Sequence, residues 1–301
     1  MILNALHLGA TLYIPCTRPD LARSLFGPAR IPQLRSAVLC LEDSVAERDL
    51  PAALANLATL LRTLPARDAP LLFVRPRDAA MLDHVLRLPG AAALTGYVLP
   101  KITADTLPAY LALAIPEHQV LMPTLESRDS YDGHEMRRLR DQLLIIQDRI
   151  LALRIGGNDL LQTMGLRRAT TRTLYDGPLG PVIAQLVATF APWGFALSAP
   201  VMERFGDPAL LCEEVARDID HGLVTKTAIH PDQVPIIQAA YAVSSDDAAE
   251  ARRMLDPAGP AVFARAGVMC EPATHRAWAE RLLARADLFG IADPLPSRAT
   301  G

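Results

Sequence analysis

The chain has 301 residues, of which half are hydrophobic, and a formal net charge of -3. This length suits a single large α/β barrel, a fold that often forms one domain of about 250 residues. The acidic balance and the lack of a basic stripe argue against nucleic acid or an anionic membrane as a partner. No apolar run approaches the roughly 20 residues of a membrane span, and Met1–Ala10 lacks the features of a secretory signal, so we expect a cytoplasmic protein.

Short apolar runs alternate with amphipathic segments along most of the chain, which is typical of repeated βα units. Their near-continuous apolarity suits strands buried on both faces of a parallel sheet. A count of eight favours a closed (β/α)8 TIM barrel over an open doubly wound sheet. The runs are Thr11–Cys16, Ala37–Leu41, Leu71–Arg75, Gly96–Pro100, Val120–Leu125, Leu151–Ile155, Phe195–Ser198 and Val224–Ile229.

The pattern changes after the eighth run, where only helical periodicity continues. Asp232–Tyr241, Ser245–Met254 and His275–Ala286 are predicted helices. This part is too short for an independent domain. We therefore predict a catalytic barrel over residues 1–235 and a short C-terminal helical extension over 236–301, which packs on the barrel or on a neighbouring subunit.

Polar residues gather where the predicted strands end. Any one of them alone would be explained as a helix cap or a solvated loop residue. In a barrel, however, all of these positions share the C-terminal mouth, where barrel enzymes keep their active sites. The recurrence of both charge signs therefore predicts a functional mouth formed by Glu42, Asp43, Arg75, Lys101, Glu126, Gly156, Gly157, Asn158, Asp159, Lys226 and His230.

Glu126 and Asp159 are the candidate metal ligands. Two carboxylates on adjacent strands, with water and substrate oxygens completing the shell, suit Mg²⁺ or Mn²⁺. No HxH or HExxH spacing supports zinc, and the four scattered cysteines form no CxxC pair. The alternatives are a helix cap for Glu126 and a turn residue for Asp159.

Gly156-Gly157 and Arg75 are candidate substrate-binding residues. Paired glycines let backbone N–H groups approach a carboxylate or a developing oxyanion closely. The guanidinium of Arg75 offers a planar fork for a carboxylate. An ion pair between Arg75 and Glu42 or Asp43 is the alternative, and the two roles are compatible.

Seven motifs follow one another as they do in a known family. The chain resembles the citrate lyase β-subunit-like lyases of the HpcH/HpaI aldolase and citrate lyase superfamily, from about Leu12 to Val234. Any one motif is weakly specific, but their common order is a strong signal. They are LYIPCTRPD (Leu12–Asp20), LEDSV (Leu41–Val45), the strand ending in Arg75, GYVLPK (Gly96–Lys101), PTLES (Pro123–Ser127), IGGNDL (Ile155–Leu160) and KTAIHPDQV (Lys226–Val234).

The resemblance implies a magnesium-dependent carbon–carbon lyase or aldolase that acts through an enolate on a small carboxylate or an acyl-CoA substrate. It places Glu126 and Asp159 on the metal-ligating carboxylates, which also puts Glu126 beside the substrate. It places Arg75 on the substrate-binding arginine and Glu42 and Asp43 on the acidic pair beside the metal waters. Together with Lys101, these last three residues form the predicted catalytic set. A homo-oligomer, with a trimer favoured, is also implied.

Some positions depart from the common pattern of the family. Cys40 stands where many relatives carry an aspartate, and Thr225 stands where they carry a glycine. The segments TLYDGPLGPVI (Thr173–Ile183), FALSAPVMER (Phe195–Arg204) and CEPATHRAWA (Cys270–Ala279) resemble a branch associated with bacterial stress-response and tellurium-resistance operons. That branch implies no particular substrate.

Two other functions are compatible with this sequence. One is a non-catalytic or scaffold subunit of a lyase complex, although a scaffold has no use for an acidic mouth. The other is an acyl-CoA synthase or thioesterase variant, which needs an additional general base. Asp256 and Glu271 in the extension are candidates but are better explained as surface charges. His230 precedes Pro231 and is interpreted as a strand-end residue rather than a catalytic imidazole.

Overall fold

The computed structural model describes residues 3–27, 30–65, 69–265 and 267–292. Eight parallel strands follow one another around a closed barrel, and the first pairs with the last. This confirms the predicted fold, with strand ends shifted by at most two residues from the predicted runs. The strands are Ala10–Pro15 (β1), Ser36–Cys40 (β2), Leu71–Arg75 (β3), Gly96–Leu99 (β4), Val120–Leu125 (β5), Leu153–Ile155 (β6), Leu197–Ala199 (β7) and Thr225–Ala228 (β8).

Helices follow the strands and cover the outside of the barrel. Their apolar stripes bury leucines such as Leu57, Leu82 and Leu139 completely, and each such side chain contributes about 1.5–3 kcal/mol. The helices are Leu21–Phe26 (α1), Leu50–Arg62 (α2), Ala79–Leu86 (α3), Leu107–Leu111 (α4), Gly133–Leu144 (α5), Gly157–Thr163 (α6), Leu179–Phe190 (α7), Pro208–Asp220 (α8), Gln233–Ala240 (α9), Ser245–Met254 (α10) and Pro272–Phe289 (α11).

Inward-facing side chains divide the barrel interior into an apolar lower part and a polar upper part. Because side chains alternate across a strand, every second residue points to the barrel axis. A 3-10 helix, Ala5–Leu8, lies below the apolar layer, and its Leu8 packs into the same cluster. This cluster closes the amino end of the barrel with Leu8, Val38, Phe73, Val98 and Met122, all completely buried.

The placement of Lys226 corrects one prediction. We expected this lysine in the mouth, but β8 turns it outward, where it is fully buried against α8. Its ammonium lies 3.0 Å from Glu214 and 2.9 Å from Asp218, and it donates to the carbonyl of Pro200. Lys226 therefore fastens helix α8 to the barrel wall.

The C-terminal extension packs around its own apolar cluster. α10 and α11 enclose Val243, Ala248 and Met254, together with a two-stranded antiparallel hairpin, Phe263–Arg265 (β9) and Val268–Cys270 (β10). The sequence did not predict this hairpin, because three-residue strands are too short to show a periodic pattern. No helix of the described residues is long and apolar enough to cross a membrane.

The boundary between the two predicted regions stays a prediction. Helix α9 runs across residue 235 and packs on β1 and α8, in the place of the eighth barrel helix. The extension meets the barrel where Arg35 donates to the carbonyl of Leu288 and lies over the ring of Phe289. Residues 1–2 and 293–301, the outer ends of the two regions, lie outside the described residues.

Candidate active site

A cavity of about 810 Å³ opens at the carboxyl ends of the strands. It brings together most of the residues that the sequence analysis assigned to the mouth, although they come from five different βα loops. Glu42 lies just behind the cavity wall and touches two of the lining residues. The predicted residues that line the cavity are Asp43, Arg75, Lys101, Glu126, Gly156, Gly157, Asn158 and Asp159.

Glu126 lies at the centre of this mouth, directly after β5. It is only 3% exposed, and one of its oxygens accepts a hydrogen bond of 2.8 Å from the backbone N–H of Lys101. Lys101 adopts a left-handed conformation, with φ at +51°, and this unusual backbone points its N–H at the carboxylate. Burial, reinforced by the nearby charge of Asp159, raises the pKa of Glu126 to about 7.

Gly156 makes room for Glu126. A Cβ at this position would lie 2.2 Å from a carboxylate oxygen of Glu126 and 2.5 Å from its Cβ. The N–H of Gly156 donates to the carbonyl of Leu125, so it is engaged within the barrel rather than directed at a ligand. The structure therefore supports a steric role for this glycine, in place of the predicted backbone donor.

Asp159 approaches Glu126 from the first turn of α6, not from a strand end as the sequence analysis assumed. The two carboxyl groups lie close enough to interact, since the charge of Asp159 raises the pKa of Glu126. Burial raises the pKa of Asp159, and the charge of Asp43 adds to this effect. These two groups therefore lie close enough to share a cation.

Glu42 and Asp43 are held by two cations, Arg75 and Lys101. Together with Glu126 and Asp159, these four residues form what we call the rim of the cavity. The guanidinium of Arg75 lies 2.5 Å from Glu42 and 3.3 Å from Asp43. The ammonium of Lys101 lies 2.5 Å from Glu42, 3.2 Å from Asp43 and 3.9 Å from Asp159. Burial raises the pKa of Glu42, whereas the interaction with Glu42 and the charges of Arg75 and Lys101 outweigh desolvation and lower the pKa of Asp43.

The charges of this rim favour a divalent cation. Glu42 and Asp43 take the closest contacts of the two rim cations, Arg75 and Lys101, which leaves Glu126 and Asp159 as the carboxylates available to an added cation. Within the described residues, no three His, Cys, Asp or Glu side chains converge as a complete ligand set. A pair of carboxylate ligands with water and substrate completing the shell suits Mg²⁺, which retains several waters.

Sequence reasoning missed the residues below the rim. Arg154 is only 1% exposed at the centre of β6, and it lines the cavity with Tyr13, Thr124 and Thr227. Its guanidinium donates to the hydroxyl of Thr227 at 2.6 Å and lies over the ring of Tyr13. The available signal was a charged residue in the middle of the otherwise apolar run Leu151–Ile155.

His230 does not line the cavity. Its ring stacks on Phe205, with ring centroids 4.5 Å apart, and its Nδ1 accepts from the backbone of Asp232. These contacts hold the imidazole outside the cavity, which agrees with its interpretation as a strand-end residue. Asp256 and Glu271 interact locally in the extension, where Asp256 accepts from the backbone of Ala258 and Glu271 from the side chain of Thr274.

A closed parallel barrel with acidic and basic side chains at its carboxyl-terminal mouth defines the class of TIM-barrel enzymes. Comparison with protein families gives a more specific assignment. Residues 2–291 match the family of C–C bond lyases of the TIM-barrel fold, and the chain belongs to this family. The match covers the barrel and almost all of the described extension.

Solved structures with the same fold include relatives of citrate lyase. The Mycobacterium tuberculosis protein CitE, in complex with magnesium, acetoacetate and coenzyme A, is 25% identical. The alignment covers 93% of this chain and 98% of CitE, with a TM-score of 0.70. No curated protein matches the chain significantly in sequence.

Two further structures are similar in fold. RipC from Yersinia pestis is 21% identical, with a TM-score of 0.61, and the alignment covers 81% of this chain and 99% of RipC. The citrate lyase β subunit from M. tuberculosis, complexed with oxaloacetate and magnesium, is 24% identical, with a TM-score of 0.57. That alignment covers 78% of this chain and 98% of the subunit.

Proposed function

We propose that the protein is a magnesium-dependent lyase or aldolase that makes or breaks a carbon–carbon bond next to a carboxylate, through an enolate. The observation that carries this proposal is the meeting of Glu126 and Asp159 in a cavity that also holds Arg75 and Lys101. Membership of the C–C bond lyase family supports the reaction type. The magnesium in the CitE complex, at 25% identity, supports the metal.

Glu126 and Asp159 would hold the Mg²⁺ ion, since both are acidic oxygen donors on one side of the cavity. When bound, the ion supplies Lewis-acid stabilisation of negative charge that develops on a carbonyl oxygen. Gly156 keeps Glu126 in place by leaving it space, and the N–H of Lys101 fixes one of its oxygens.

Arg75 and Lys101 would act as fixed cations around the substrate. Glu42, buried behind them, accepts from Lys101 and pairs with Arg75, so both side chains are oriented before a ligand arrives. Such pre-arranged positive groups stabilise charge that grows in the transition state more than charge in the ground state. Arg75 would bind the carboxylate next to the reacting bond.

The chemistry of the mouth does not suit the scaffold alternative. Keeping four carboxylates at one barrel end costs stability, because like charges repel and buried acids lose hydration. A scaffold gains nothing in return. The use of an acyl-CoA substrate, suggested by the ligands of CitE, remains part of the proposal and is separated below by experiment.

Calorimetric titration with Mg²⁺ tests the metal site. Glu126→Gln and Asp159→Asn keep side-chain size while removing the charge, so both variants should lose Mg²⁺ affinity and retain the wild-type circular dichroism spectrum. Asp105→Asn is the matched control, since Asp105 is exposed and forms an ion pair with Arg138, away from the cavity. Unchanged Mg²⁺ affinity in both site variants would overturn the metal assignment.

Cleavage is tested by incubating the Mg²⁺-loaded enzyme with the two enantiomers of 2-hydroxy-2-methylsuccinate and with their CoA thioesters at C4, in which breaking the C2–C3 bond gives pyruvate and acetate or acetyl-CoA. Release of pyruvate is followed by reduction with a coupled dehydrogenase. Activity on the free acids alone would exclude an obligatory CoA thioester, and activity on the thioesters alone would establish one. A complete lack of cleavage and of condensation with both sets would contradict the proposed reaction.

We also propose a cytoplasmic homo-oligomer, with a trimer favoured by the family resemblance. Light scattering coupled to size-exclusion chromatography measures the oligomer directly. A monomer at micromolar concentration would contradict it. Cell fractionation tests the cytoplasmic location.

A further inference from the structure

The ring of Tyr13 contacts two guanidinium groups inside the cavity. Tyr13 projects from β1, whereas Arg75 and Arg154 project from β3 and β6. The Cζ atom of Arg75 lies 5.3 Å from the centroid of the ring, and that of Arg154 lies 5.2 Å from it. Both distances are within the roughly 6 Å over which the face of an aromatic ring attracts a cation. One side chain therefore joins two cations that come from different strands.

The polar partners of Arg75 all come from one stretch of the chain. Its Nε donates to the Sγ atom of Cys40 at 3.4 Å, and its Nη2 lies 2.5 Å from Glu42 and 3.3 Å from Asp43. Because these partners follow one another at the end of β2, they hold only one side of the guanidinium. A fixed orientation needs a second support from another direction.

Tyr13 provides this support from deeper in the barrel. It pairs with Val38 on β2, whereas Arg75 pairs with Cys40, two residues nearer the mouth. Two residues correspond to a rise of about 7 Å along a strand. Tyr13 and Cys40 both line the cavity, so their side chains point inward. The ring therefore lies on the interior side of the Arg75 guanidinium, away from the acidic partners.

Arg154 holds the ring in its turn. This arginine is only 1% exposed, and its guanidinium donates to the hydroxyl of Thr227 at 2.6 Å. Among the described residues, its contacts are with neutral groups, namely Thr227, the sulfur of Met122 and the ring of Tyr13. A buried cation without an acid partner is costly, so its attraction to the electron-rich ring is a substantial part of its stabilisation.

We infer that Tyr13 and Arg154 are positioning residues for Arg75. The aromatic ring sets the orientation of the Arg75 guanidinium, and Arg154 fixes the ring. Within the described residues, the contacts of Arg75 with polar side chains use Nε and Nη2, which leaves Nη1 for a substrate carboxylate. This inference rests on the proposed function, in which Arg75 binds that carboxylate. Neither positioning residue has to touch the substrate.

Calorimetric titration with pyruvate in Mg²⁺ tests the inference. Tyr13→Leu removes the ring and should weaken pyruvate binding about 2- to 30-fold, the range expected for a lost cation–π contact. Tyr13→Phe keeps the ring and should bind pyruvate within twofold of wild type. Arg154→Met should weaken binding by a smaller factor, because it acts through Tyr13. Wild-type affinity in Tyr13→Leu, or equal losses in Tyr13→Leu and Tyr13→Phe, would overturn the inference.

Two controls separate positioning from a general loss of packing. Phe73→Leu also removes an aromatic ring from the barrel interior, but no cation of the described residues lies over that ring. It should keep wild-type affinity for pyruvate. Mg²⁺ affinity should stay unchanged in Tyr13→Leu and Arg154→Met. An equal loss of pyruvate affinity in Phe73→Leu and Tyr13→Leu would contradict a specific role of Tyr13.

Nuclear magnetic resonance of ¹⁵N-labelled arginine side chains tests the inference without a ligand. The Nε–H signal of Arg75 is assigned by its absence from Arg75→Lys. In Tyr13→Leu and Arg154→Met this signal should shift and its hydrogen should exchange faster with water, whereas Tyr13→Phe should retain both properties. An unchanged signal in Tyr13→Leu would overturn the inference whether or not pyruvate binds. The expected signals in a wild-type protein that binds no pyruvate would count against the lyase proposal alone.

Discussion

Gly156 faces the Glu126 carboxylate so closely that a single methyl group between them would occupy the same space, 2.2 Å from Oε2. Gly156→Ala should therefore push Glu126 out of its position and weaken Mg²⁺ binding at least tenfold. Because the neighbour is a carboxylate held by the N–H of Lys101, it cannot move without losing that hydrogen bond. The measurement is calorimetric titration with Mg²⁺.

Gly206→Ala is the control for this prediction. A Cβ at Gly206 meets nothing within 4 Å, and its φ does not require glycine. This variant should retain wild-type Mg²⁺ affinity. Wild-type Mg²⁺ affinity in Gly156→Ala would show that Glu126 is not a metal ligand.

Arg75→Lys should keep a positive charge in the mouth but lose the planar fork that contacts Glu42 and Asp43 and that we propose binds the substrate carboxylate. Loss of a charge-assisted pair costs about 2–3 kcal/mol, roughly a 30- to 150-fold decrease in kcat/KM. The assay is cleavage, or binding of pyruvate in Mg²⁺ if no turnover substrate is found. Arg138→Lys, on the exposed face of α5, is the control, and an equal effect of both changes would show that Arg75 has no special role.

Lys226→Met should destabilise the protein without affecting Mg²⁺ binding. The substitution leaves Glu214 and Asp218 buried without their ammonium partner, and breaking such a pair costs about 3–5 kcal/mol. Urea denaturation measures the loss. Normal stability combined with lost Mg²⁺ affinity would contradict this structural role and support the position in the mouth that the sequence analysis predicted for Lys226.

Glu214 makes stability depend on pH at the acid end. Although burial opposes its ionisation, Lys226 and Arg168 lower the pKa of Glu214 to about 2. A lowered pKa contributes stability that is present above the usual pKa near 4.5 and is lost as pH falls towards 2. The contribution is roughly 3 kcal/mol at neutral pH.

Glu214→Gln should therefore be less stable than wild type at pH 7, and the difference should shrink as pH falls from about 5 to 2. Burial, together with the charge of Glu214, raises the pKa of the neighbouring Asp218, which acts in the opposite direction and is present in both proteins. Urea denaturation at several pH values gives the required free energies of unfolding. A difference that does not change with pH would contradict the prediction.

The fold could be predicted from the sequence because every barrel strand is buried on both faces and therefore appears as an apolar run. Because both faces of each strand are buried, however, the sequence did not show which side chains point into the barrel. In β8, Lys226 and Thr227 are neighbours in the sequence, but only Thr227 faces the cavity. Hydropathy could not distinguish the two faces, since both are buried.

The rim was predicted because its residues follow the strands, where charge stands out against apolar neighbours. The proposed roles of Glu126, Asp159 and Arg75 remain predictions until metal and substrate binding are measured. Arg154 was missed because it lies inside a strand, and one charged residue did not break the apolar pattern. Its environment depends on Thr124 and Ser198, which are brought beside it only by strand pairing.

The apolar layer closes the amino end of the barrel, so the described cavity opens to solvent through the mouth at the carboxyl ends of the strands. A molecule held at the depth of Arg154 cannot depart until whatever lies above it at the rim has gone. Cleavage of a ligand that reached from Arg154 up to Glu126 and Asp159 would thus release its two fragments in a fixed sequence, the upper one first. The deeper fragment would then compete with the next substrate for the resting enzyme, and the upper fragment would bind only to the enzyme that still holds the deeper one.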